Sequence, residues 1–313
     1  MNLERIKPHL PWMTLAMLVV IVSLIDPHFL NPWSMLSLAA DIVPLFIMAL
    51  GITFAIYIGG IDLSAQSMAN MVTVVATVLL GSMGAWVAVF CVLLGAALGA
   101  FSGFVTTRFF VPSFISTLAV GGVAYSVAQW LSGQRSVSMD AAQRDALFGW
   151  MISKTGGIPH ELLIAAVLLA ICWFIERRTV IGRNLKAIGA GELAAVASGI
   201  SVAKYKTAAF ALSGALAAFA GLLFAVKLSG GAPSVANGFL LPAIVAVLVG
   251  GTPLTGGVGG VINTMIGTLI VAVIRASMLY LDVNATQQQM FFGLILIAAI
   301  ALTIDRAKLR IVK

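Results

Sequence analysis

The sequence Gly59-Gly60-Ile61-Asp62-Leu63-Ser64-Ala65-Gln66-Ser67 interrupts two apolar runs, Leu45–Ile58 before it and Met68–Leu80 after it. Glycines, an acid and hydroxyl side chains stand here where an uninterrupted membrane helix would carry leucine and valine. Hydrocarbon offers the freed backbone groups no hydrogen bonds, so protein or water must supply them. Transporters use broken helices of this kind along solute paths. This stretch, the first glycine break, predicts a broken membrane helix at a transport path.

A related stretch, the second glycine break, returns late in the chain as Gly250-Gly251-Thr252-Pro253-Leu254-Thr255-Gly256-Gly257. The two breaks share the pattern Gly-Gly-x-x-Leu-(Ser/Thr). Matching breaks in two halves of a chain are the best pointer to a transport site that a sequence offers. We therefore predict two broken-helix glycine motifs in related halves of the protein.

The composition is that of a membrane protein. The chain has 313 residues, of which 61% are hydrophobic and 9% charged, and its mean hydropathy is +1.08. Soluble proteins carry about 25% charged residues. The length suffices for roughly ten spans with short loops, and no polar stretch is long enough for a separate soluble domain. We predict an all-α polytopic membrane protein in which residues 1–313 form one transmembrane domain with about ten transmembrane or re-entrant helices.

Apolar runs predict where these helices lie: Pro11–Ile25, Ile42–Ile58, Leu63–Leu80, Ala85–Thr107, Ser113–Leu131, Leu162–Ile175, Thr207–Val226, Leu240–Gly251, Val258–Leu281 and Met290–Ile304. The eighth run is short and contains Pro242, so it is either a half-helix or a re-entrant segment that would make the two breaks an inverted pair. The fourth run carries Gly95, Gly99 and Gly103, and small residues at this spacing let another helix approach closely.

Basic residues are distributed asymmetrically over the predicted loops. With ten crossings, Arg108, the loop 176–206 and both termini place 13 of the 18 Lys and Arg residues on one side. Because cytoplasmic loops are enriched in Lys and Arg, we predict cytoplasmic termini, a cytoplasmic loop at 176–206 and a periplasmic loop at 132–160. This pattern accounts for the net charge of +7 without a nucleic acid partner. Cys91, Cys172 and the three histidines show no disulfide or metal-site spacing.

Asp62 admits two compatible interpretations. Aspartate is favoured at helix N-termini, where its side-chain oxygen meets unpaired N–H groups, so Asp62 or Ser64 can simply cap the helix after the break. Alternatively, both residues are polar groups beside a solute path. An acid inside a membrane can also carry a proton, but a single acid without a charged partner gives this idea little support.

The helix after the first break has a polar face made of Gln66, Asn70 and Thr73, which spacings of four and three residues place on one side. The face either forms a hydrophilic wall for a hydroxylated solute or hydrogen-bonds to neighbouring helices, as polar residues in membranes commonly do. Together with the breaks, it completes the predicted translocation path: Gly59, Gly60, Asp62, Ser64, Gln66, Asn70, Gly250, Gly251 and Thr252.

The basic loop 176–206 contains a short predicted helix, Glu192–Ser198, bounded by glycines. Four apolar residues have the spacing of one helix face: Leu193, Val196, Ala197 and Ile200. This face either rests on lipid or docks into a cytoplasmic partner. The chain has no Gly-x-x-x-x-Gly-Lys-(Ser/Thr) phosphate loop, so if ATP drives the protein another chain binds it. No nucleophile–His–Asp arrangement suggests an enzyme.

These motifs together resemble a known family. The residues that carry the resemblance are the two breaks, Phe114-Ile115-Ser116-Thr117-Leu118, Ile181-Gly182-Arg183, Glu192, Ala194, Ala195 and Ser198-Gly199-Ile200. They resemble the permease subunits of bacterial ABC importers for ribose, xylose, galactose and related sugars, and the likeness runs nearly end to end. The chain departs from many ribose-type members at Phe239-Leu240-Leu241-Pro242, where those have an acidic-Asp pair, and at Ala65-Gln66, where they have Val-Gly.

The resemblance implies a permease subunit in the bacterial inner membrane that forms the path for a monosaccharide. Its implied partners are membrane lipid, a second permease copy or close relative, a cytoplasmic ABC ATPase and a periplasmic sugar-binding protein. ATP would bind to the ATPase, and this chain would hold no cofactor or metal. The region around Glu192 would be the coupling helix, with coupling residues Gly182, Arg183, Gly191, Glu192, Ala195 and Gly199. The alternative function is an ion-coupled secondary transporter of a small hydrophilic solute, with Asp62 as its ion site.

Overall fold

The computed structural model describes residues 9–303, and most of them are helical. The helices are α1 Leu10–Ile25, α2 Pro32–Asp41, α3 Val43–Tyr57, α4 Ala65–Met83, α5 Trp86–Arg108, α6 Ser113–Ser132, α7 Ala141–Phe148, α8 His160–Arg178, α9 Val180–Ala190, α10 Glu192–Ala197, α11 Val202–Leu228, α12 Leu240–Val249, α13 Val261–Tyr280 and α14 Ala285–Thr303. The predicted cytoplasmic ends, with Arg5, Lys7 and the tail Asp305–Lys313, lie outside the described residues, so their sidedness stays a prediction.

Short strands and turns connect some of these helices. β1 (Val137–Ser138) pairs antiparallel with β4 (Gly230–Gly231), and β2 (Lys154–Thr155) pairs with β3 (Ile158–Pro159). Two single 3-10 turns, Pro27–Leu30 and Gly149–Ile152, complete the regular structure of the described residues. The loop 132–160 is therefore folded around α7 and three of the four strands.

A helix overlaps each predicted apolar run, but three helices were not predicted, α7 in the loop 132–160 and two others. The first is α2, which begins at Pro32 after the side chain of Asn31 caps it. The second is α9, which begins after the side chain of Thr179 accepts a hydrogen bond from the Gly182 N–H. The predicted connection 176–206 therefore contains α9 in addition to the predicted short helix α10. Capping side chains supply the unpaired N–H groups of both helices with acceptors.

Within residues 9–303, five helices are long and apolar enough to cross a membrane, namely α4, α5, α6, α11 and α13. The pair α2 and α3, which is bent by 49°, makes a sixth if it counts as one span. Shorter apolar helices occur at Leu10–Ile25, Leu240–Val249 and Thr286–Ala301. The protein is thus a helical, multi-pass membrane protein.

The core of the bundle is α3, all 15 residues of which are buried. The long helix α11 packs against α3, α4 and α5. The predicted close approach of α5 is confirmed, because a side chain at Gly95, Gly99 or Gly103 would collide with the backbone of α11. Small residues at a helix interface allow such backbone proximity.

The bundle has two distinct ends. One, the hairpin end, holds the β1–β4 pair and Lys227, whose Nζ lies 3.2 Å from the Asp41 carboxylate. The other, the short-helix end, holds α9 and α10, where Gly189 packs on Tyr57 and the Glu192 carboxylate lies 2.7 Å from the Lys206 Nζ. The helices α3 and α11 therefore run in opposite directions between the two ends.

Candidate functional site

The first glycine break begins where α3 ends in a Schellman motif. Gly59 has φ of +70°, its N–H donates to the Ile56 carbonyl, and the Gly60 N–H donates to the Ala55 carbonyl over 3.0 Å. This is the pattern in which a left-handed residue closes a helix, and it favours glycine at the left-handed position. A side chain at Gly60 would contact the Phe210 ring at 3.0 Å, so this glycine also permits α11 to approach.

Asp62 is a buried anchor within the break. Its Oδ1 accepts hydrogen bonds from the Ser64 N–H at 2.8 Å and the Ser64 hydroxyl at 2.6 Å, and its Oδ2 accepts from the Ser213 hydroxyl of α11 at 2.6 Å. The side chain is 1% exposed. Ser64 is the N-cap residue of α4 and makes no side-chain cap hydrogen bond, so the first turn of α4 is not capped by Asp62 or Ser64. Asp62 instead binds the Ser64 N–H just before the helix and ties the break to α11. Its charge is stabilised by three donors.

Polar side chains of α6 accept hydrogen bonds from two further freed backbone N–H groups of the break. The Ile61 N–H donates to the Ser113 hydroxyl at 3.0 Å, and the Leu63 N–H donates to the Thr117 hydroxyl at 3.1 Å. Sequence reasoning missed this role of Ser113 and Thr117, although the motif Phe114–Leu118 contains one of them. The sequence signal that could have revealed this role is a pair of hydroxyl side chains one turn apart, Ser113 and Thr117, at the start of a helix.

The second glycine break repeats the same helix ending. Gly251 has φ of +98°, its N–H donates to the Leu248 carbonyl, and the Thr252 N–H donates to the Val247 carbonyl. Gly251 is therefore the left-handed residue of the second break, as Gly59 is of the first. The shared sequence pattern aligns Gly59 with Gly250 instead, so the helix ending lies one residue later than the pattern suggests. Gly250 packs against the backbone of Asn263 in α13. Thr252 is fully buried, and its hydroxyl accepts a hydrogen bond from the Gly260 N–H.

The two breaks are in direct contact at the short-helix end. The Gly257 N–H donates to the Tyr57 carbonyl at 3.0 Å, and a side chain at Gly256 would lie 2.6 Å from the Gly59 nitrogen. Gly189 of α9 completes the junction, because a side chain there would collide with both the Tyr57 carbonyl and the Gly257 nitrogen. The backbones of Tyr57, Gly189 and Gly257 therefore pack so closely that the junction has no space for a Cβ atom at Gly189.

The polar face of α4 is used largely for hydrogen bonds within the fold. Asn70 accepts from the Ala236 N–H at 2.6 Å and donates to the Asn237 side chain at 2.8 Å, and the Thr73 hydroxyl bonds to the backbone of Ala232. Asn70 and Thr73 thus hold the segment that leads into α12. Gln66 is half-buried and has no hydrogen-bond partner among residues 9–303. Of the three residues, Gln66 has the polar group that remains available to a solute.

The predicted coupling residues all lie on or beside α9 and α10. Gly182 packs against the backbone of Glu176, Arg183 is exposed, and Gly191 links the two helices. Ala195 is 4% exposed, and Gly199, with φ of +78°, ends α10. These residues set the angle between the two short helices and the end of the bundle.

The apolar face predicted for α10 is open to the surroundings. Leu193 is 88% exposed and Val196 is 57% exposed, and the adjacent Ala197 is exposed as well. A helix of six residues that leaves its large apolar side chains uncovered is a typical contact surface for a partner or for lipid. Glu192 at its start is held by Lys206 of α11.

A cavity of about 450 Å³ lies between the first break and α10. Its walls include Gly59, Gly60, Ser113, Glu192 and Lys206. It therefore joins two of the predicted path residues to a predicted coupling residue.

Among residues 9–303 there is no group of three or more side chains with metal-ligand chemistry.

Comparisons with known proteins agree with this architecture. Residues 34–300 match the family described as branched-chain amino acid transport system / permease component. The chain is 33% identical over 300 residues to the ribose import permease protein of Haemophilus influenzae, covering 92% of this chain and 90% of the relative. It is 30% identical over 314 residues to the galactose/methyl galactoside import permease protein of Escherichia coli, covering 93% and 92%.

A third relative, the D-allose transport system permease protein of Escherichia coli, is 30% identical over 297 residues, which cover 92% of this chain and 89% of the relative. No solved structure matches the chain. The resemblance predicted from the motifs is confirmed, and the protein is a transport component rather than an enzyme. The chain therefore belongs to the family of permease components of ABC transport systems.

Proposed function

We propose that this chain is the transmembrane subunit of an ATP-driven importer and forms the path for a monosaccharide, a pentose, a hexose or a similar polyol. The observation that carries the proposal is the junction of Tyr57, Gly189 and Gly257, where both glycine breaks meet the helices α9 and α10. The relatives named for ribose, allose and galactose support a sugar as the solute.

The uncovered face of α10 supports a cytoplasmic ATPase as the partner. Leu193 and Val196 lie at the short-helix end and offer apolar anchors to a groove on another protein, the mode by which short amphipathic helices are bound. ATP is then hydrolysed on the ATPase, and this chain binds no cofactor. A periplasmic sugar-binding protein delivers the sugar, and a second permease copy or a related chain completes the complex.

We further propose that residues 1–313 form one transmembrane domain in the bacterial inner membrane, with ten transmembrane or re-entrant helices and cytoplasmic termini. The short-helix end then faces the cytoplasm, and the hairpin end faces the periplasm. The opposite directions of α3 and α11, and the basic residues of 176–206, fit this orientation. Both breaks then lie near the cytoplasmic side of the path.

The ion-coupled alternative has weaker support, because the carboxylate of Asp62 is buried and already accepts three hydrogen bonds.

The test of the proposed function is a pull-down of the tagged chain in mild detergent, with the co-purified chains identified. ATP hydrolysis is then measured with and without a ribose- or galactose-loaded binding protein. Co-purification of an ATPase that the loaded binding protein stimulates supports the proposal. Uptake by the chain alone, abolished by an uncoupler, overturns it.

A further inference from the structure

An ion pair with a buried carboxylate and a partly exposed lysine connects the end of α8 to α9. Glu176, whose side chain is 1% exposed, lies in the last turn of α8, and its Oε1 is 2.6 Å from the Nζ of Lys186. The Oε2 accepts a hydrogen bond from the Val261 N–H at 2.9 Å, and the Lys186 Nζ also donates to the Gly259 carbonyl at 2.8 Å. The pair therefore binds the first residue of α13, directly after the second glycine break.

The same pair lies against the residue before the first glycine break. The Lys186 Nζ is 4.8 Å from the centre of the Tyr57 ring, a cation–π contact. The Tyr57 hydroxyl is buried and has no hydrogen-bond partner among residues 9–303. One lysine of α9 thus contacts the surroundings of both breaks.

The energetics of buried pairs distinguish this contact from ordinary packing. Removing one partner of a buried ion pair leaves an uncompensated charge, whereas replacing both by apolar residues is often neutral. Such a pair contributes little to net stability but strongly opposes any arrangement that separates its members. The pair Glu192–Lys206 lacks this property, because the glutamate side chain is 53% exposed and water can replace the lysine as its partner.

We propose that Glu176 and Lys186 are positioning residues that make α9 and the two glycine breaks move as one body. A displacement of α9 and α10 by a partner then reaches the breaks through Lys186, Gly259 and Val261 rather than being absorbed in a flexible loop. This inference rests on the proposed function for its role in transport, while the mechanical link itself is a property of the chain alone.

Hydrogen–deuterium exchange of the purified chain in detergent tests the link. In Lys186→Met, we expect the amides of 250–261 to exchange at least about tenfold faster together with those of 180–190, since the buried carboxylate keeps only the exposed Arg177, 3.6 Å away, as a cationic partner. The matched control Lys206→Met should leave 250–261 within about twofold of the unmodified chain. Faster exchange confined to 180–190 would overturn the proposal.

A milder variant, Glu176→Gln, distinguishes a local effect on the two segments from unfolding of the whole chain. Glu176→Gln keeps the shape and an oxygen for the Val261 N–H but removes the charge that holds Lys186. We expect it to accelerate exchange in the same two segments and in no others. Uniform acceleration over the whole chain in both variants would show that the pair serves global stability alone, which contradicts a positioning role.

Vesicles that contain the chain with its co-purified ATPase supply the second measurement, the number of ATP molecules hydrolysed per ribose moved. We expect this number to rise several-fold in Lys186→Met with the ATPase still bound, and to stay unchanged in Lys154→Met, which removes an exposed lysine of β2. An unchanged ratio in Lys186→Met would refute the role in transport. If no ATPase co-purifies with the unmodified chain, the proposed function fails, while the exchange measurement still decides the link.

Discussion

The amide nitrogen of Gly257 lies 3.0 Å from the carbonyl oxygen of Tyr57, so a hydrogen bond joins the two glycine breaks from opposite halves of the chain. Gly189 sits against both groups. A displacement of the end of α3, of α9 or of the second glycine break therefore requires the other two to shift as well.

Gly189→Ala should disrupt the junction. The added methyl group would collide with the Tyr57 carbonyl and the Gly257 nitrogen, and backbone atoms cannot rotate away as side chains can. We expect a loss of about 1–3 kcal/mol, the usual cost of overpacking, seen as a lower thermal midpoint in detergent and reduced transport. Gly191→Ala is the matched control, since its nearest neighbour is 3.8 Å from the added atom. Equal behaviour of the two variants would contradict the proposed tight contact.

Asp62→Ala should destabilise the fold by about 2–4 kcal/mol, because it leaves the Ser64 N–H and two hydroxyls without their charged acceptor. Ser213→Ala removes only one hydrogen bond to that carboxylate and should cost about 1.5–3 kcal/mol. Thermal unfolding followed by tryptophan fluorescence measures both. A variant Asp62→Asn that unfolds normally but transports nothing would instead favour the ion-site hypothesis.

Leu193→Ser should weaken ATPase binding without affecting the fold. Leu193 is 88% exposed, so its loss removes few contacts within the chain, but a docking helix depends on its few apolar anchors. We expect about tenfold less co-purified ATPase and an unchanged thermal midpoint. Leu228→Ser makes the same change at the hairpin end, where Leu228 is 59% exposed, and should retain the ATPase. Full retention by Leu193→Ser would remove α10 from the interface.

Cysteine labelling should establish the orientation. Ala142→Cys on α7 and Ala194→Cys on α10 place exposed thiols at the hairpin and short-helix ends, while the native Cys91 and Cys172 are buried. A membrane-impermeant maleimide added to intact spheroplasts should label position 142 and spare position 194 until the membrane is opened. The reverse pattern would invert the proposed topology.

Much of the fold follows from local rules that a sequence displays. Long apolar runs determine where α5, α6 and α11 lie, and the stripe of Gly95, Gly99 and Gly103 predicts the close contact with α11. The two Gly-Gly pairs are visible in the sequence as polar interruptions between apolar runs. Which glycine takes the left-handed conformation is not visible there, since it depends on where each helix ends rather than on the order of the two glycines.

The helix α9 shows why the remainder was missed. Gly182 and Gly189 lower its helix propensity, and the segment looks like a loop. In the fold these two glycines lie where the backbones of Glu176 and Tyr57 leave no room for a side chain, so tertiary contacts override propensity. The pairing of Glu176 with Lys186 depends on the reversal of the chain between α8 and α9, and no local periodicity reveals it.

The complete burial of α3 has a consequence for biosynthesis. Together with α2 its 15 residues are apolar enough to cross a membrane, yet all 15 are buried within the finished protein. The helix that covers much of α3 is α11, which follows about 145 residues later in the chain. Because a chain is made from its N-terminus, α3 lacks this partner until α11 has been made, so the packing of α3 is completed late in folding.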